Sequence, residues 1–342
     1  MKVIQIIDRL NVGGAERVFV NLSNLLNNND SLEISVLTFG NSGELLKELS
    51  KEVNKIDFIR PNKFDLRKAY KLSRILKQHD VLHVHMRHVY RYIKVVCKIF
   101  NVKSKLVFQD HYGEISKDKS VPKLFKTLLK PTYYIGVSKE LTTWARNKIK
   151  IKHVFLLSNI INKQSISDVT SNKKGFVIVG NIKPTKNQLF AIKLAISLKK
   201  ELTIIGRVHD EDYYTMLLQY IEDENCKKQI SFLHNVNNIQ ELLQQFELGL
   251  MTSISESGPL VLIEYLAQNL PFIAYKTGEV SDVLCKEFPA SFQEDFNLNE
   301  WKTSISKIDL DKEKSSAVYN QYFSPETYIQ ECINIYQEII NY

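Results

Sequence analysis

The sequence has few of the features that define several common protein classes. Its four cysteines, Cys97, Cys226, Cys285 and Cys332, lie far apart and form no C-x-x-C pair. This spacing argues against a disulfide framework or a cysteine zinc site and is typical of the reducing cytoplasm. No apolar run reaches the roughly 18 residues needed to span a bilayer. Residues 1–7 are too short for a signal peptide and instead predict a first strand.

The pattern of apolar residues predicts an α/β protein of two domains. A chain of 342 residues is too long for one hydrophobic core. Short apolar runs alternate with amphipathic helical stretches, which is typical of parallel sheets built from βαβ units. The predicted strands cover residues 3–7, 34–38, 81–84, 106–109, 134–137 and 154–157, and then 176–179, 202–205, 230–233, 248–251 and 272–274. The polar stretch 162–174 predicts a linker between the two series.

Residues 248–283 are the most informative stretch of the chain. An apolar strand leads into a polar turn, and Gly258 and Pro259 then open a predicted helix, with Pro259 as its first residue. Proline suits the first helical position because the N–H that it lacks would have no partner there. The free N–H groups at such a helix start can hold an anion. Ligands of parallel sheets bind beyond the carboxyl ends of the strands, so this turn is a candidate site.

Two carboxylates frame the predicted helix start. Glu256 lies in the turn, and Glu264 follows with seven residues between them. This spacing allows one carboxylate to lie on each side of a bound phosphate group. On spacing alone, an equally good interpretation is that Glu256 stabilises the helix dipole and Glu264 is a solvated helix residue.

The stretch E-S-G-P-L-V-L-I-E, followed by Y-L-A-Q-N-L-P-F-I-A, resembles the E-x7-E signature of retaining GT-B glycosyltransferases. It is most similar to the bacterial family-4 (group 1) enzymes, which use nucleotide-sugar donors. The resemblance covers nearly the whole chain and is weakest around residues 40–75 and 285–342. It implies two Rossmann-like, doubly wound parallel-sheet domains that face a central cleft. Residues 1–162 would form the acceptor-side domain, 163–322 the nucleotide-sugar-binding domain, and 323–342 a helix that packs back toward the first domain.

The resemblance assigns roles to the residues of this stretch. Glu264 would accept hydrogen bonds from the ribose hydroxyls, and Glu256, as a catalytic residue, from a hydroxyl of the donor sugar. The N–H groups after Gly258 would stabilise the departing diphosphate without a metal ion. The other residues expected to contact the donor here are Ser257, Pro259 and Leu260. Ser257 departs from the family pattern, which commonly has glycine at this position.

The loop before the helical pattern at residues 189–198 carries two lysines. Thr185 and Gln188 have the spacing of a capping box, which would hold Lys183 and Lys186 just before a helix. On their own these lysines could equally be solvated loop cations. By resemblance, Lys186 is the diphosphate-binding lysine. Asn181 stands where the family usually has arginine, and it supplies neither a charge nor a bidentate fork, so Lys183 would have to compensate.

The first domain offers a glycine pair and a histidine. Gly13 and Gly14 occur in N-V-G-G-A-E-R, which does not match G-x-G-x-x-G but resembles the first glycine-rich loop of the same enzymes, near sugar and acceptor. His111, which follows a predicted strand, resembles the family histidine that contacts the donor sugar. Alternatively, His111 is a loop histidine bonded to neighbouring backbone. His83 and His85 share a strand face, but without a nearby carboxylate or cysteine cluster we do not assign them a metal.

Positive charge is concentrated in the first half of the chain. Residues 60–150 carry 22 Lys and Arg against six Asp and Glu, a net charge of +16 in a chain of net charge +8. Such asymmetry predicts an anionic partner, for which a membrane surface or a phosphate-bearing acceptor fits better than nucleic acid. The apolar and basic residues of 89–100 and 121–130 have the spacing of interfacial helices. They also fit ordinary core-facing helices with a solvated basic side.

Together these features and the resemblance predict a glycosyltransferase that moves a sugar from a UDP- or GDP-linked donor to a glycan or lipid-linked acceptor in assembly of a bacterial surface polysaccharide. The resemblance implies retention of configuration. We expect no metal, no cofactor and no nucleic-acid partner, and a cytoplasmic location at or near the inner face of the membrane. The acidic run at 210–212 is interpreted as a helix cap. Two alternatives remain, namely a nucleotide-sugar epimerase of the same architecture and a non-catalytic module that binds anionic lipid.

Overall fold

The computed structural model describes residues 1–40, 42–59, 65–113, 115, 118–121, 123–126, 128–164, 173–236, 238–309 and 311–342. The chain forms two compact units. Unit 1 comprises Met1–Ile160 with Pro325–Tyr342, and unit 2 comprises Ile161–Ser324. Each unit contains one parallel sheet with helices on both faces, so the predicted fold class is confirmed. Most of the predicted linker, residues 165–172, lies outside the described residues.

Unit 1 begins with a series of strands and helices that alternate almost without exception. Its elements up to residue 156 are β1 (Lys2–Ile7), α1 (Gly14–Asn27), β2 (Glu33–Thr38), β3 (Asn54–Asp57), α2 (Leu66–Leu76), β4 (Val81–His85), α3 (Arg87–Ile99), β5 (Lys105–Asp110), β6 (Tyr133–Gly136), α4 (Lys139–Trp144) and β7 (His153–Leu156). The strand order is β3-β2-β1-β4-β5-β6-β7. The chain moves outward from β1 in one direction and returns to β4 on its other side, so the order reverses between these two strands.

The sheet of unit 1 is buried on both faces because successive side chains of a strand point to opposite sides. Ile4 and Ile6 of β1 pack with α2 and α3, whereas Val3 and Ile7 face the opposite side. Gln5 lies on this second side and is completely buried. A polar side chain in that position must find hydrogen-bond partners within the protein.

Unit 2 repeats the same construction with a smaller sheet. Its elements are β8 (Lys174–Val179), α5 (Gln188–Leu198), β9 (Leu202–Ile205), α6 (Glu211–Asp223), β10 (Ile230–Leu233), α7 (Ile239–Leu243), β11 (Phe246–Met251), α8 (Leu260–Ala267), β12 (Phe272–Tyr275), α9 (Glu279–Glu287), β13 (Phe292–Gln293), α10 (Leu298–Ile305) and α11 (Lys312–Phe323). The strand order is β10-β9-β8-β11-β12-β13, with the reversal between β8 and β11.

A last helix, α12 (Pro325–Asn341), returns to unit 1. Its buried residues Cys332, Tyr336 and Ile339 pack with Val3 and Leu22, which lie on β1 and α1. The helix therefore covers the same face of the sheet as α1. Within the described ranges, no helix combines the length and the apolar character that crossing a bilayer requires.

Several local predictions can be compared with the structure. Asp210 is an N-cap residue whose side chain accepts a hydrogen bond from Tyr213 N, as predicted. Ser138 caps α4 in the same way and accepts from Leu141 N. The capping box at Thr185 is wrong, because a short 3₁₀ turn (Pro184–Lys186) precedes α5 and Asn187 occupies the N-cap in a left-handed conformation.

Two further predictions placed helical residues incorrectly. Pro259 is not the first helical residue: it is the extended N-cap, and α8 begins one residue later. The predicted helix around 121–130 is also wrong in its described part, where the chain forms only a 3₁₀ turn, Lys123–Lys126. The apolar residues Phe125 and Leu129 of that segment are buried, but Leu128 is exposed, so no continuous apolar stripe is formed.

Candidate active site

The first candidate site lies at the reversal point of the sheet in unit 2. The chain leaves β8 and β11 toward opposite faces, which opens a crevice beyond their carboxyl ends. The loop after β8 carries Asn181, Lys183 and Lys186, and the loop after β11 carries Glu256 and the residues that lead into α8. The fold thus brings together residues that are about 70 positions apart in the sequence.

Lys186 and Glu256 are in direct contact in this crevice. Lys186 Nζ donates a hydrogen bond to Glu256 Oε1, and the two side chains are 22% and 13% exposed respectively. The pair is therefore largely shielded from water but remains reachable. Two charges in this environment attract one another more strongly than on an open surface.

Main-chain contacts fix the two loops against each other. Thr252 Oγ1 lies 3.0 Å from the carbonyl oxygens of both Lys186 and Asn187, to which it donates. Ile254 N donates to Thr185 O at 2.9 Å. Because the backbone on both sides is held, the position of the ion pair is set by the fold and not only by two flexible side chains.

A third loop, which follows β12, supports the Glu256 loop from the other side. Thr277 Oγ1 accepts a hydrogen bond from Glu256 N at 3.2 Å, and Glu279 N donates to Ser257 O at 2.9 Å. Gly278 between them has φ +83°, and a Cβ atom there would lie 2.8 Å from Pro259 Cδ. Both the conformation and the close approach require glycine at this position.

The α8 helix starts at the edge of this crevice. Pro259 is extended, with φ −68° and ψ 103°, and no side chain caps the first turn of the helix. The N–H groups of the first turn are therefore available to an anion. Ser257 is buried, and Gly258 lies between it and the N-cap.

Glu264 lies in the second turn of α8 and is only 5% exposed. Its interpretation as a solvated helix residue is therefore wrong. A buried carboxylate must be compensated by hydrogen bonds or charge, and this requirement is typical of a functional position.

Asn181 and Lys183 belong to the same loop as Lys186 but are held by their main chain. Asn181 O accepts a hydrogen bond from Gln188 Nε2 at 3.0 Å, and Lys183 is the N-cap of the 3₁₀ turn. Both side chains are half-buried. The structure thus places the predicted donor-binding residues of this half on two adjoining loops and one helix start.

The second candidate site lies at the reversal point of unit 1, between β1 and β4. Gly13 is the extended N-cap of α1, and Gly14 is its first residue. A side chain at Gly13 would overlap the carboxyl group of Glu16, which lies in the first turn of α1. Burial raises the pKa of the Glu16 carboxyl. Neither this carboxylate nor its closeness to the glycine pair was predicted from the sequence.

His111 follows β5, one strand beyond β4. Its Nε2 atom lies 3.0 Å from His85 Nδ1, and the two rings stack with centroids 5.3 Å apart. Burial lowers the pKa of His111 to about 4, so the ring is neutral at pH 7. The alternative that His111 bonds only to neighbouring backbone is wrong, because its partner is a side chain on another strand.

The residue before His111 is fixed by a charged cluster. Arg87 Nη2 and Nε donate to the carboxylate of Asp110 at 2.8 to 3.2 Å, and Tyr134 donates to the same carboxylate at 3.0 Å. Met86, just before Arg87, has φ +72°, which is strained for a bulky residue. Strain of this kind is common at functional sites.

Sequence reasoning missed Thr252, Thr277 and Gln5 at these two sites, and it considered His85 only as a metal ligand. Thr252 and Thr277 each follow a strand of unit 2 at its carboxyl end, and that position alone could have marked them. Gln5 and His85 are buried within strands, and Gln5 in particular is a polar residue inside an apolar run. In the described parts of the chain, no three histidine, cysteine or acidic side chains are grouped as a metal site.

The part of the chain that contains the first candidate site is similar to a known protein family. Residues 159–322 match the family described as "Glycosyl transferases group 1". The chain is 28% identical to a capsular polysaccharide biosynthesis glycosyltransferase, CapH, from Staphylococcus aureus over 98% of each chain. It is 25% identical to an N-acetyl-D-galactosaminyltransferase from Campylobacter jejuni, whose name specifies an undecaprenol-diphosphate-linked substrate, over 78% of this chain and 77% of that one.

A solved structure shows the same fold. HepE from Anabaena, in complex with UDP and glucose, superposes with a TM-score of 0.79 and 17% sequence identity. The superposition covers 98% of each chain. The whole chain, and not only the matched second half, therefore has the architecture of this structure.

Proposed function

This chain belongs to the group 1 glycosyltransferases, and we propose that it transfers a sugar from a nucleotide-diphosphate donor to a glycan or lipid-linked acceptor during synthesis of a bacterial surface polysaccharide. We propose further that the donor is UDP- or GDP-linked and that the sugar keeps its anomeric configuration. The name of the Staphylococcus relative supports the pathway class, and that of the Campylobacter relative supports a lipid-linked acceptor. The UDP bound to the Anabaena structure supports the donor class.

The observation that carries this proposal is the contact of Lys186 with Glu256 in the loop that leads into the uncapped start of α8, at the reversal point of unit 2. When the donor reacts, the bond between C1 of the sugar and the β-phosphate oxygen breaks, and negative charge grows on the diphosphate. An ammonium group and preorganised N–H groups stabilise that charge at little reorganisation cost. Asn181 and Lys183 contribute to the same phosphate pocket.

In the proposed reaction, the acceptor hydroxyl attacks C1 on the face from which the diphosphate departs. The new bond joins the acceptor oxygen to C1, and the acceptor proton passes to the departing phosphate oxygen. Atoms and charge balance without a protein nucleophile. A same-face displacement of this kind gives retention of configuration.

The carboxylates bind neutral parts of the donor. Glu264 accepts hydrogen bonds from the ribose hydroxyls, and its burial favours this role because a desolvated carboxylate gains most from new donors. Glu256 accepts from a hydroxyl of the transferred sugar. When the donor binds, Lys186 exchanges Glu256 for the diphosphate as its ion-pair partner. The Glu256 carboxylate can then bind the sugar.

We assign the acceptor to unit 1 and the nucleotide to unit 2. In unit 1, the loop with Gly13 and Gly14 allows close approach of a ligand to the backbone, and His111 binds a hydroxyl of the transferred sugar. The net charge of +16 in residues 60–150 supports an acceptor that carries phosphate, because lipid-linked glycans are attached through phosphate.

Binding of nucleotide tests the proposal. We expect UDP or GDP to raise the melting temperature of the full-length protein, since a ligand of the folded state stabilises it. Lys186→Ala and Glu264→Ala should abolish this rise, while Lys200→Ala, which removes a surface ion pair with Glu247, should keep it. If neither nucleotide stabilises the wild type, the proposal fails.

Product analysis separates transfer from the epimerase alternative. With a nucleotide sugar and no acceptor, an epimerase releases a free sugar with changed configuration, whereas the proposed transferase leaves the donor intact. Addition of an undecaprenyl-diphosphate-linked glycan should then yield a longer glycan. The anomeric coupling constant of the product, measured by NMR, distinguishes retention from inversion.

A basic apolar surface on unit 1 leads us to propose peripheral membrane binding. This surface consists of the exposed residues Leu66, Arg67, Lys68, Tyr70 and Lys71 of α2 and Val95, Lys98 and Ile99 of α3. The two helices pack side by side, with the rings of Tyr70 and Phe100 5.7 Å apart. Exposed apolar side chains surrounded by lysines suit an anionic bilayer surface.

Vesicle binding tests this surface. We expect the protein to sediment with vesicles that contain phosphatidylglycerol but not with pure phosphatidylcholine, and less so as salt is raised. Lys71→Glu with Lys98→Glu should abolish sedimentation, whereas Lys227→Glu, on the surface of unit 2, should not. Equal binding to both vesicle types would exclude the charge-based part of the proposal.

A further inference from the structure

A continuous line of buried side chains connects His111 to the C-terminal helix. His111 Nε2 lies 3.0 Å from His85 Nδ1, and His85 Nε2 lies 2.8 Å from Gln5 Oε1. On the other side of the amide, Gln5 Nε2 donates to Tyr336 Oη at 2.7 Å and lies 3.2 Å from His83 Nδ1. The line thus crosses β5, β4 and β1 and ends on α12.

The orientation of the Gln5 amide determines which atom is the donor in each hydrogen bond of this line. In the structure its NH₂ group donates to Tyr336 Oη and lies 3.2 Å from His83 Nδ1, and its carbonyl oxygen faces His85. A carbonyl oxygen only accepts, and therefore His85 carries its proton on Nε2. A neutral imidazole has one N–H, which leaves His85 Nδ1 as an acceptor.

The tautomer of His85 in turn determines which nitrogen of His111 carries a proton. Because His85 Nδ1 accepts, His111 Nε2 must be the donor of the 3.0 Å hydrogen bond between them. The neutral ring of His111 then has no proton on Nδ1. The remaining nitrogen of His111 is consequently an acceptor and not a donor.

The surroundings of the line hold the rings in place and keep them uncharged. Gln5, His83 and His85 are completely buried, and the His83 and His85 rings stack with centroids 4.5 Å apart. Phe19 packs edge-on against His85 at 5.1 Å. Burial lowers the pKa of His83 to about 3 and that of His85 well below its usual value, and the neighbouring imidazoles add to the effect.

We propose that Gln5 and His85 are positioning residues that hold His111 in its Nε2–H tautomer, so that His111 Nδ1 accepts a hydrogen bond from a hydroxyl of the transferred sugar. This inference rests on the proposed role of His111 in sugar binding and adds to it the atom and the direction of the contact. It also excludes His111 as a proton donor to the leaving group. Tyr336 fixes the amide orientation from α12.

The tautomer of His111 can be read directly in the full-length, ligand-free protein. With ¹⁵N-labelled histidine, ring nitrogen shifts and two-bond couplings separate protonated from unprotonated nitrogens. We expect an unprotonated Nδ1 and a protonated Nε2 for His111, with about fivefold excess of this tautomer, since one hydrogen bond is worth about 1 kcal/mol. A protonated Nδ1 in the wild type overturns the inference, whatever the enzyme's activity.

Two variants and a control connect the tautomer to Gln5 and His85. His85→Phe preserves a flat ring but removes the acceptor, so we expect the excess of the Nε2–H tautomer to fall about fivefold. Gln5→Glu gives His85 an acceptor that favours its doubly protonated form, which should turn His111 to the Nδ1–H tautomer. His79→Gln, outside this line of residues, should change nothing. Circular dichroism verifies that each variant is folded.

Failure of this inference and failure of the proposed function are distinguishable. If the tautomer is as expected but His111→Ala transfers sugar at the wild-type rate, the role of His111 in sugar binding is wrong. If His85→Phe and Gln5→Glu both leave the tautomer unchanged in a folded protein, His85 and Gln5 do not position His111, and the relay is refuted even when transfer requires His111.

Discussion

The two units share a topology but solve the problem of ligand binding with different chemistry. In each, the sheet order reverses between two central strands, and the candidate site lies at that reversal point. In unit 2 the central contact is an ion pair, Lys186 with Glu256. In unit 1 it is a line of neutral hydrogen bonds through His111, His85 and Gln5.

This difference matches the parts of the ligand that we assign to each unit. A diphosphate is charged, so a lysine that can exchange one anion for another suits it. A sugar hydroxyl is neutral and is recognised by direction, so a ring with a fixed tautomer suits it better. The same fold can therefore bind either a diphosphate or a sugar hydroxyl, because the fold determines only where the loops lie and the loop residues determine the chemistry.

The largest effect should follow from removing the charge of unit 2. We expect Lys186→Ala to reduce transfer by about 10² to 10³-fold, since a preorganised group at the departing charge contributes about 3 to 4 kcal/mol. Initial rates with a labelled nucleotide sugar measure this. Lys200→Ala removes an ion pair of the same unit outside the site and should stay near wild type. Equal losses in both variants would mean that general charge, not this position, matters.

Low pH should weaken unit 1 more than unit 2. His83, His85 and His111 have folded-state pKa values below the value of about 6.5 in an unfolded chain. Between about pH 6.5 and 4 the unfolded chain therefore binds protons that the folded unit does not, so stability is present above pH 6.5 and is lost as pH falls. We expect a loss on the order of 6 kcal/mol between pH 7 and 5 for the three rings together, at up to about 1.4 kcal/mol per pH unit for each ring.

Hydrogen exchange resolves this loss by unit. Amides of β4 and β5 should lose protection at pH 5 relative to pH 7, after correction for intrinsic exchange, while those of β8 and β11 change less. The two histidines of unit 2, His209 and His234, are exposed. Earlier opening of the unit 2 strands would contradict the interpretation.

Replacing one glycine should disturb the site of unit 2 without changing any charge. At Gly278, φ is +83° and a new Cβ would approach Pro259 Cδ to 2.8 Å, so we expect Gly278→Ala to cost about 1 to 3 kcal/mol of stability and to weaken UDP binding. Denaturant unfolding and calorimetry measure the two effects. Gly113→Ala in unit 1, where a Cβ meets nothing within 4 Å, is the matched control. A neutral Gly278→Ala would show that the loop adapts.

Helix caps should behave alike in the two units. Ser138→Ala in unit 1 and Asp210→Ala in unit 2 each remove a side-chain acceptor at an N-cap, and each should cost about 1 kcal/mol of folding stability. Neither should alter the affinity for UDP. A change in affinity in one variant only would reveal a functional role where we see a structural one.

The smallest expected effect is a change in UDP affinity when the ion pair between Lys186 and Glu256 is removed. Glu256→Gln removes the charge that competes with a phosphate for this lysine, so UDP should bind about threefold more tightly, within the range of partly exposed ion pairs. Glu247→Gln, which frees Lys200 instead, is the control and should leave UDP affinity unchanged. Weaker UDP binding in Glu256→Gln would indicate that Glu256 supports the nucleotide directly.

Much of the architecture could be predicted from local pattern. All eleven predicted strands are present, each within two residues of the predicted ends. The two strands that were missed, β3 and β13, lie at sheet edges. β3 has one strongly apolar residue, Ile56, and β13 has only two residues, so neither gives a periodic signal.

Those parts of the two sites whose residues lie close together in the sequence could be predicted. The loop with Lys186 and the stretch from Glu256 to Glu264 are local motifs, and both are found at the reversal point of unit 2. The contacts of Gln5 with Tyr336 join residues 331 positions apart, and no spacing rule connects them. Thr185 was misjudged because Asn187 adopts a left-handed conformation, which ended the turn and started α5 two residues later than a capping box requires.

The return of α12 to unit 1 has a consequence for how the protein is made. The ribosome delivers the sheet of unit 1 before unit 2, yet Tyr336, Cys332 and Ile339, which cover one face of that sheet, emerge only after the whole of unit 2. Until then Gln5 has no Tyr336 beside it, and the apolar face around Val3 is uncovered. Unit 2 can finish folding before α12 has been synthesised. We therefore expect the nascent chain to form the proposed nucleotide site of unit 2 before the line of hydrogen bonds from His111 to Tyr336 in unit 1 is complete.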